Sequence, residues 1–468
     1  MSALLLLLFP FAIFQTPAGP SAVARTEDPL TPAALANRLL DEGLASQGAF
    51  RILSSLVAAA PRRLSGSDGF QDAVAWGVET MHRIGLKNVR RESVSIPRWE
   101  RGDPERVFAT LRDGTRIELS CCALGSSIAT SSDGITAEVV ELDGLDALKA
   151  TKKDLRGKIV FLDGPMDPTA RATFSAYGKA VGQRVSGASE AARKGAIGLL
   201  IRSMSTAHDD APHTGNMHYQ EGVEKIPALA LGVLSAEKLG RKLAAGEVAS
   251  VTLRSHCRTL ADRASSNVVG EIPGTDLAGE IVLVGGHLDA WELGQGAHDD
   301  GAGCAHSLEA VRLLLKTGYR PRRTIRVVLF ANEENGLHGA RAYAEAHAKE
   351  KHFFAMESDS GGFAPRGISI SIKGGDLDSL AGLAHPLEAV GAGRVFPGGG
   401  GADVSPLAQQ GVPVGSLRPA DARYFDLHHS RNDVLEAVNP RELELGAVTV
   451  AYWLAMIADL DPGNLSGT

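Results

Sequence analysis

The sequence predicts an α/β fold: an open, mainly parallel mixed sheet with helices on both faces, interrupted by an inserted module of different character. Three observations lead there. Apolar runs of strand length without polar alternation recur in the C-terminal half, Ile281-Val282-Leu283-Val284 being the cleanest, and such runs suit parallel strands covered on both faces. They alternate with helical spacings to the end of the chain, as expected of a parallel sheet with helices packed on it. Between residues 125 and 259 the pattern changes to short apolar strands separated by Gly, Asp and Pro turns.

Residues 1–24 read as a secretory signal, with an apolar core from Leu4 to Phe14 and Ala22-Val23-Ala24 as a small-residue cleavage site. The core is too short to span a bilayer. A secreted, extracellular or periplasmic protein with no membrane span after signal removal is therefore expected. Only the terminal amine supplies positive charge before the core, which leaves an uncleaved anchor as the alternative. No Cys follows it, which excludes a lipid-modified cysteine.

Residues 31–60 carry a helical spacing, and a second helix follows Arg62-Arg63-Leu64-Ser65-Gly66-Ser67-Asp68 and runs to Ile84, with Ser67 or Asp68 as its cap. Strands are expected over 88–96 and 107–111. In the middle region 157–162 is a strand, 191–201 a helix end, a Gly stop and a buried strand, and 226–231 another strand. His208, His213 and His218 share one polar loop there and are expected to face solvent. The later elements are strands over 281–284, 324–331, 353–356, 368–372 and 412–417, with helices over 339–351, 377–390 and 440–460.

A net charge of −7 over 468 residues is mild and points to neither nucleic acid nor an anionic membrane as partner. Four cysteines in this length make no disulfide framework, and Cys304 reads as core packing.

The chemistry lies where the later strands end. Gly285-Gly286 are expected to stop the first, and His287 and Asp289, two residues apart, point the same way while the chain stays extended, so the carboxylate can hold the imidazole. Asp299-Asp300-Gly301-Ala302-Gly303 then opens a helical pattern. Glu333-Glu334, Glu357-Ser358-Asp359 and His428-His429 follow later strands, so several carboxylates and imidazoles can meet above one sheet edge. That mix of N and O donors suits zinc, and also manganese or cobalt. With two ions close together one aspartate can bridge both. Of two adjacent glutamates, one can bind metal while its neighbour moves a proton.

GGHLDAW, AHDDGAG, ANEENGLHGARAY, ESDSGG, GGGADVSPL and HHSRND together resemble the di-zinc exopeptidase family that contains bacterial leucyl aminopeptidases, glutamate carboxypeptidase and carboxypeptidase Q, and the ESD, GADVSPL and HHS forms are most similar to the last. The succession GKIV, AARKGAIGLLI, IPALAL resembles the protease-associated domain. The resemblance implies residues 25–124 as the N-terminal part of the peptidase domain, 125–259 as the protease-associated insertion and 260–468 as the catalytic remainder. It implies His287 and Asp359 on one zinc, Glu334 and His429 on the other, Asp299 bridging, Glu333 as general base and acid, and Asp289 orienting His287. His429 is preferred to His428 because Ser430 and Asp433 complete the family pattern, although Val434 stands where a threonine is frequent. A cis Asp299–Asp300 peptide is implied too. Gly400, Gly401 and Asp403 match a substrate-side loop. The activity implied is hydrolysis of dipeptides or short peptides, with two Zn2+ per chain, from the carboxyl or the amino end, and a homodimer by analogy. Relatives of this fold also include single-zinc glutaminyl cyclases and metal-free receptor ectodomains; the complete ligand set opposes the latter.

Overall fold

The computed structural model describes residues 31–372 and 377–461; the signal segment lies outside them. Its main sheet has eight strands: β1 (Lys87–Glu100), β2 (Arg258–Ile272), β3 (Leu277–His287), β4 (Arg323–Phe330), β5 (Lys351–Glu357), β6 (Pro365–Ser371), β7 (Arg394–Pro397) and β8 (Val414–Pro419). The spatial order is β1-β2-β4-β3-β5-β8-β6-β7. The four central strands β4, β3, β5 and β8 are parallel, whereas β1, β2 and the β6–β8 pairing are antiparallel, so the sheet is mixed.

Burial on both faces explains the apolar runs. In β3, Val282 and Val284 face a core shared with the helices Asp68–Ile84, Ala302–Lys316 and Pro440–Asp459, while Ile281 and Leu283 face a second core with Phe330, Tyr343 and Leu407. Fully burying each such side chain contributes roughly 1.5–3 kcal/mol.

Several boundaries depart from the pattern reading for local reasons. The first helical stretch is two helices, Pro32–Ser46 and Gly48–Ala59, hinged at Gln47 in the left-handed region (φ 47°). Ser67 caps the next by accepting from Phe70 N–H at 3.1 Å. Gly285 and Gly286 do not end β3, which runs through His287. A Cβ on Gly286 would stand 2.4 Å from an Asp300 oxygen, so the glycine is there to let the aspartate pair press against the strand.

A second module is built from two smaller sheets. One orders Cys121–Ala123, Ala228–Leu231, Gly198–Arg202, Ile159–Leu162 and Val139–Leu142, parallel except for its first pairing. The other is antiparallel and pairs Arg106–Leu111 with Val248–Arg254. Trp291, Tyr424 and Phe425 of the main domain pack into its cores. The four cysteines are all unpaired, and Cys304 is buried in the main core. No described helix is long and apolar enough to cross a membrane.

Candidate metal centre

The parallel strands deliver their ends to one edge. β3 finishes on His287. Beyond β4 comes Glu333-Glu334, beyond β5 Asp359, and beyond β8 the segment His428-His429. Between β3 and the helix Ala302–Lys316 the chain passes through Asp299 and Asp300, whose connecting peptide is cis.

Asp299 stands between two imidazoles. Its Oδ1 lies 3.2 Å from His287 Nε2, and its Oδ2 lies 3.3 Å from His429 Nε2. On one side Asp359 is 3.8 Å and Glu333 4.0 Å from His287 Nε2; on the other, Glu334 is 3.0 Å from His429 Nε2. The structure thus brings His287, Asp299, Glu333, Glu334, Asp359 and His429 together. It also brings His428, stacked on His429 at 3.5 Å between ring centroids, with Nε2 3.7 Å from Asp299. His429 has the shorter approach to Asp299 and the contact with Glu334.

These residues fit a divalent cation. Three groups of potential ligand atoms, each within 4.8 Å of one another, occur here: Asp299, His428 and His429; His287, Asp299 and Glu334; and His287, Asp300 and Asp359. Asp299 Oδ2, Glu334 Oε1 and Asp359 Oδ1 are buried without a hydrogen bond, an arrangement that costs stability unless a cation faces it. Burial opposes charge on His287, yet the close carboxylates of Asp299, Asp359 and Glu333 outweigh it and raise its pKa well above the usual value. Burial, opposed by His287 and reinforced by Asp359 and Glu334, holds the Glu333 carboxyl well above the ordinary carboxylate range.

A tier of buried groups holds these side chains in place. Asp300 is held by backbone donors: its oxygens accept His287 N–H at 3.0 Å and Gly303 N–H at 2.9 Å, tying β3 to the helix. Asp433 accepts His298 N–H at 2.7 Å and Asp299 N–H at 3.1 Å. Arg63, fully buried, donates to the carbonyls of Leu288 (2.8 Å), Gln295 (2.5 Å) and Gly296 (2.7 Å), fixing the loop between His287 and Asp299. Pattern reading missed Arg63 and gave Asp300 no role; an arginine in a polar run looks solvated until its three carbonyl partners are known.

Asp289 differs from expectation. Its carboxylate is 3.8 Å from His287 Nδ1, beyond hydrogen-bond length, and that nitrogen meets the Asp289 backbone carbonyl at 3.0 Å. Beyond His287 the strand has ended, so the alternation that would align the two side chains no longer applies. The carboxylate instead accepts from Ser65 Oγ (2.7 Å), Glu333 N–H (3.1 Å) and Glu334 N–H (3.3 Å), and so shapes the turn that aims both glutamates. Strain gathers at the same edge: Asn332 and His429 adopt φ of 67° and 60°, uncommon for residues with a Cβ.

The Gly400-Gly401-Asp403 loop closes on Glu357. Gly401 has φ 114°, and a Cβ there would stand 2.5 Å from the Glu357 carboxylate, which accepts Val404 N–H at 3.1 Å. Asp403 is buried and both its oxygens lack partners. Burial, then the Asp359 charge, pushes Glu357 up to about 8, and burial, then the Glu357 charge, raises Asp403 well above the ordinary carboxylate range. His213 is also unlike its expectation: it is buried and hydrogen-bonds to the His428 carbonyl at 2.6 Å, while Thr214 N–H donates to the His429 carbonyl at 3.0 Å. The second module therefore grips the histidine segment.

Comparison with known proteins agrees with this architecture. The model of peptidase family M28 matches residues 267–454. Carboxypeptidase Q from Mus musculus is 37% identical over 411 residues, spanning 87% of this chain and 85% of the mouse protein. The crystal structure of a peptidase M28 precursor from Shewanella amazonensis superposes with a TM-score of 0.87 at 35% identity, covering 92% of this chain and 97% of that one. A zinc aminopeptidase from Bacillus subtilis shares the fold, with a TM-score of 0.63 at 19% identity over 89% of this chain and 97% of its own. Relatives at this identity and coverage place the chain in peptidase family M28, and it is a metallopeptidase.

Proposed function

We propose that the protein is a secreted exopeptidase that hydrolyses dipeptides or short peptides in the manner of carboxypeptidase Q and holds two zinc ions per chain. One observation carries this reading: the two oxygens of Asp299 face different imidazoles, at 3.2 and 3.3 Å, so each can serve a separate ion. His287 and Asp359 would hold one ion and Glu334 and His429 the other, with Asp299 shared. When bound, such ions supply Lewis acidity and lower the pKa of water from 15.7 to about 7.

The remaining work falls to the chain. Glu333 takes a proton from the attacking water; the water oxygen bonds to the scissile carbonyl carbon. As the C–N bond breaks, Glu333 returns that proton to the leaving amine. Asp289 positions that turn, and Asp300, Asp433 and Arg63 fix the loop bearing Asp299.

Glu333→Gln tests the assignment, because it keeps shape and removes the base. Zinc content is expected to stay unchanged while turnover of an unblocked dipeptide falls by about 10²–10⁴-fold; normal turnover would refute the role.

The aminopeptidase fold neighbour supports a second reading, in which the free amino end is recognised. Dipeptides blocked separately at either end separate the two. Residues 125–259 are read as a protease-associated insertion, supported by the parallel strand and helix succession there, with Arg106–Leu111 and Cys121–Ala123 joining its sheets from the preceding segment. Secretion rests on residues 1–24, and homodimerisation on analogy with carboxypeptidase Q.

A further inference from the structure

Away from the metal centre, the helices Gly48–Ala59, Asp68–Ile84 and Ala302–Lys316 diverge around a cavity of about 430 Å³, within the range of small-molecule sites. It shares no residue with the metal site. On the helix that begins at Ala302 beside the aspartate pair, the lining runs from Glu309 to Lys316, so it starts roughly 10 Å and ends roughly 20 Å along the helix at 1.5 Å per residue.

The lining is two-sided in chemistry. Ile52, Ile84 and Leu315 give an apolar wall, and Leu315 is one of two large apolar side chains exposed among the described residues, at 37%. Four cations also line it, but two are neutralised: Arg83 pairs with Glu79 at 2.6 Å, and Arg312 with Glu309 at 2.7 Å and Glu42 at 3.1 Å. Arg51 and Lys316 have no ionic partner among the described residues. Thr80 lines the cavity as well; it is 2% exposed and its hydroxyl has no hydrogen-bond partner. An apolar wall beside two free positive charges describes a complementary ligand.

We propose that this cavity binds an amphiphilic anion, a carboxylate or phosphate head on a short alkyl body, with the head at Arg51 and Lys316 and the body against Ile52, Ile84 and Leu315. A bound head would neutralise both cations, and the body would cover the exposed leucine.

Titration calorimetry of the zinc-loaded enzyme with octanoate, octyl phosphate, neutral octyl glucoside and inorganic phosphate tests this, all below micelle-forming concentration. Saturable one-to-one binding of at least one alkyl anion is expected, the tighter of the two identifying the head. The double variant Arg51→Glu/Lys316→Glu is expected to weaken it by at least about tenfold, since it reverses both charges, and Leu315→Asn to weaken it as well. All three residues are solvent-accessible, and circular dichroism checks that the variants fold. Absence of saturable binding by both alkyl anions, equal binding of octyl glucoside or of inorganic phosphate, or unchanged affinity in folded variants would each overturn the proposal. Because the readout is binding, none of these outcomes bears on peptidase activity.

Discussion

Replacing Asp289 by alanine separates the role its position gives it from that of an ordinary acid near a metal. The carboxylate is buried and accepts from Ser65 Oγ at 2.7 Å and from Glu333 and Glu334 N–H at 3.1 and 3.3 Å. A hydrogen bond to a charged group contributes about 1.5–3 kcal/mol net. Losing three would cost the most if the donors stayed buried and dry, but the turn at Glu333 is partly open, and removing the carboxylate also removes its own desolvation cost. A net loss of about 3–5 kcal/mol is therefore expected, at the upper end for single substitutions. The turn would no longer be pinned, and a displacement on the order of 1 Å at Glu333 costs about 10²-fold in turnover. Urea denaturation and dipeptide hydrolysis measured on the same preparation check both. Ser65→Ala, which removes one of the three donors, serves as the control and is expected to cost about 1.5–3 kcal/mol with turnover retained. If Asp289→Ala matched the wild type in stability and rate, the account of the glutamate turn would be wrong.

Arg63→Met keeps the bulk of the side chain but abandons three carbonyls; a loss of about 3–5 kcal/mol is expected by urea denaturation, with weakened metal retention, since the freed loop carries Asp299. A pH effect is expected far from the metals. Burial, and then the neighbouring Glu309 carboxyl, pushes Glu444 up to about 8, so the folded chain holds a proton that the unfolded chain releases near the ordinary carboxylate value. Its contribution is present at low pH and is lost as pH rises toward 8, with a slope of at most about 1.4 kcal/mol per pH unit, and Glu444→Gln should flatten the melting temperature across that window. An unchanged pH profile would count against the buried proton.

Much of this site was legible because its logic is local to strand ends. An unbroken apolar run followed by His287, and others followed by Glu333-Glu334 and Asp359, identify parallel strands and the edge where their side chains gather, without any knowledge of tertiary contacts. What escaped depends on partners distant in the chain. Arg63 reads as a surface charge until the carbonyls of residues 288, 295 and 296 surround it. Gly286 reads as a strand stop because its purpose, space for the Asp300 carboxylate, lies in another segment. His213 reads as a loop residue because its acceptor, the carbonyl of His428, is 215 residues away. The antiparallel β1 and β2 look like any half-buried strands from their pattern alone; their pairings, together with that of β6 and β8, make the sheet mixed.

The account turns on Asp299 serving two cations at once. Elemental analysis of the purified enzyme after equilibration with zinc and removal of excess measures this directly, for the wild type and for Asp299→Ala. Two zinc ions per wild-type chain are expected, with the variant retaining fewer than two while still folded. One ion in the wild type, or two held undiminished by the folded variant, would contradict it.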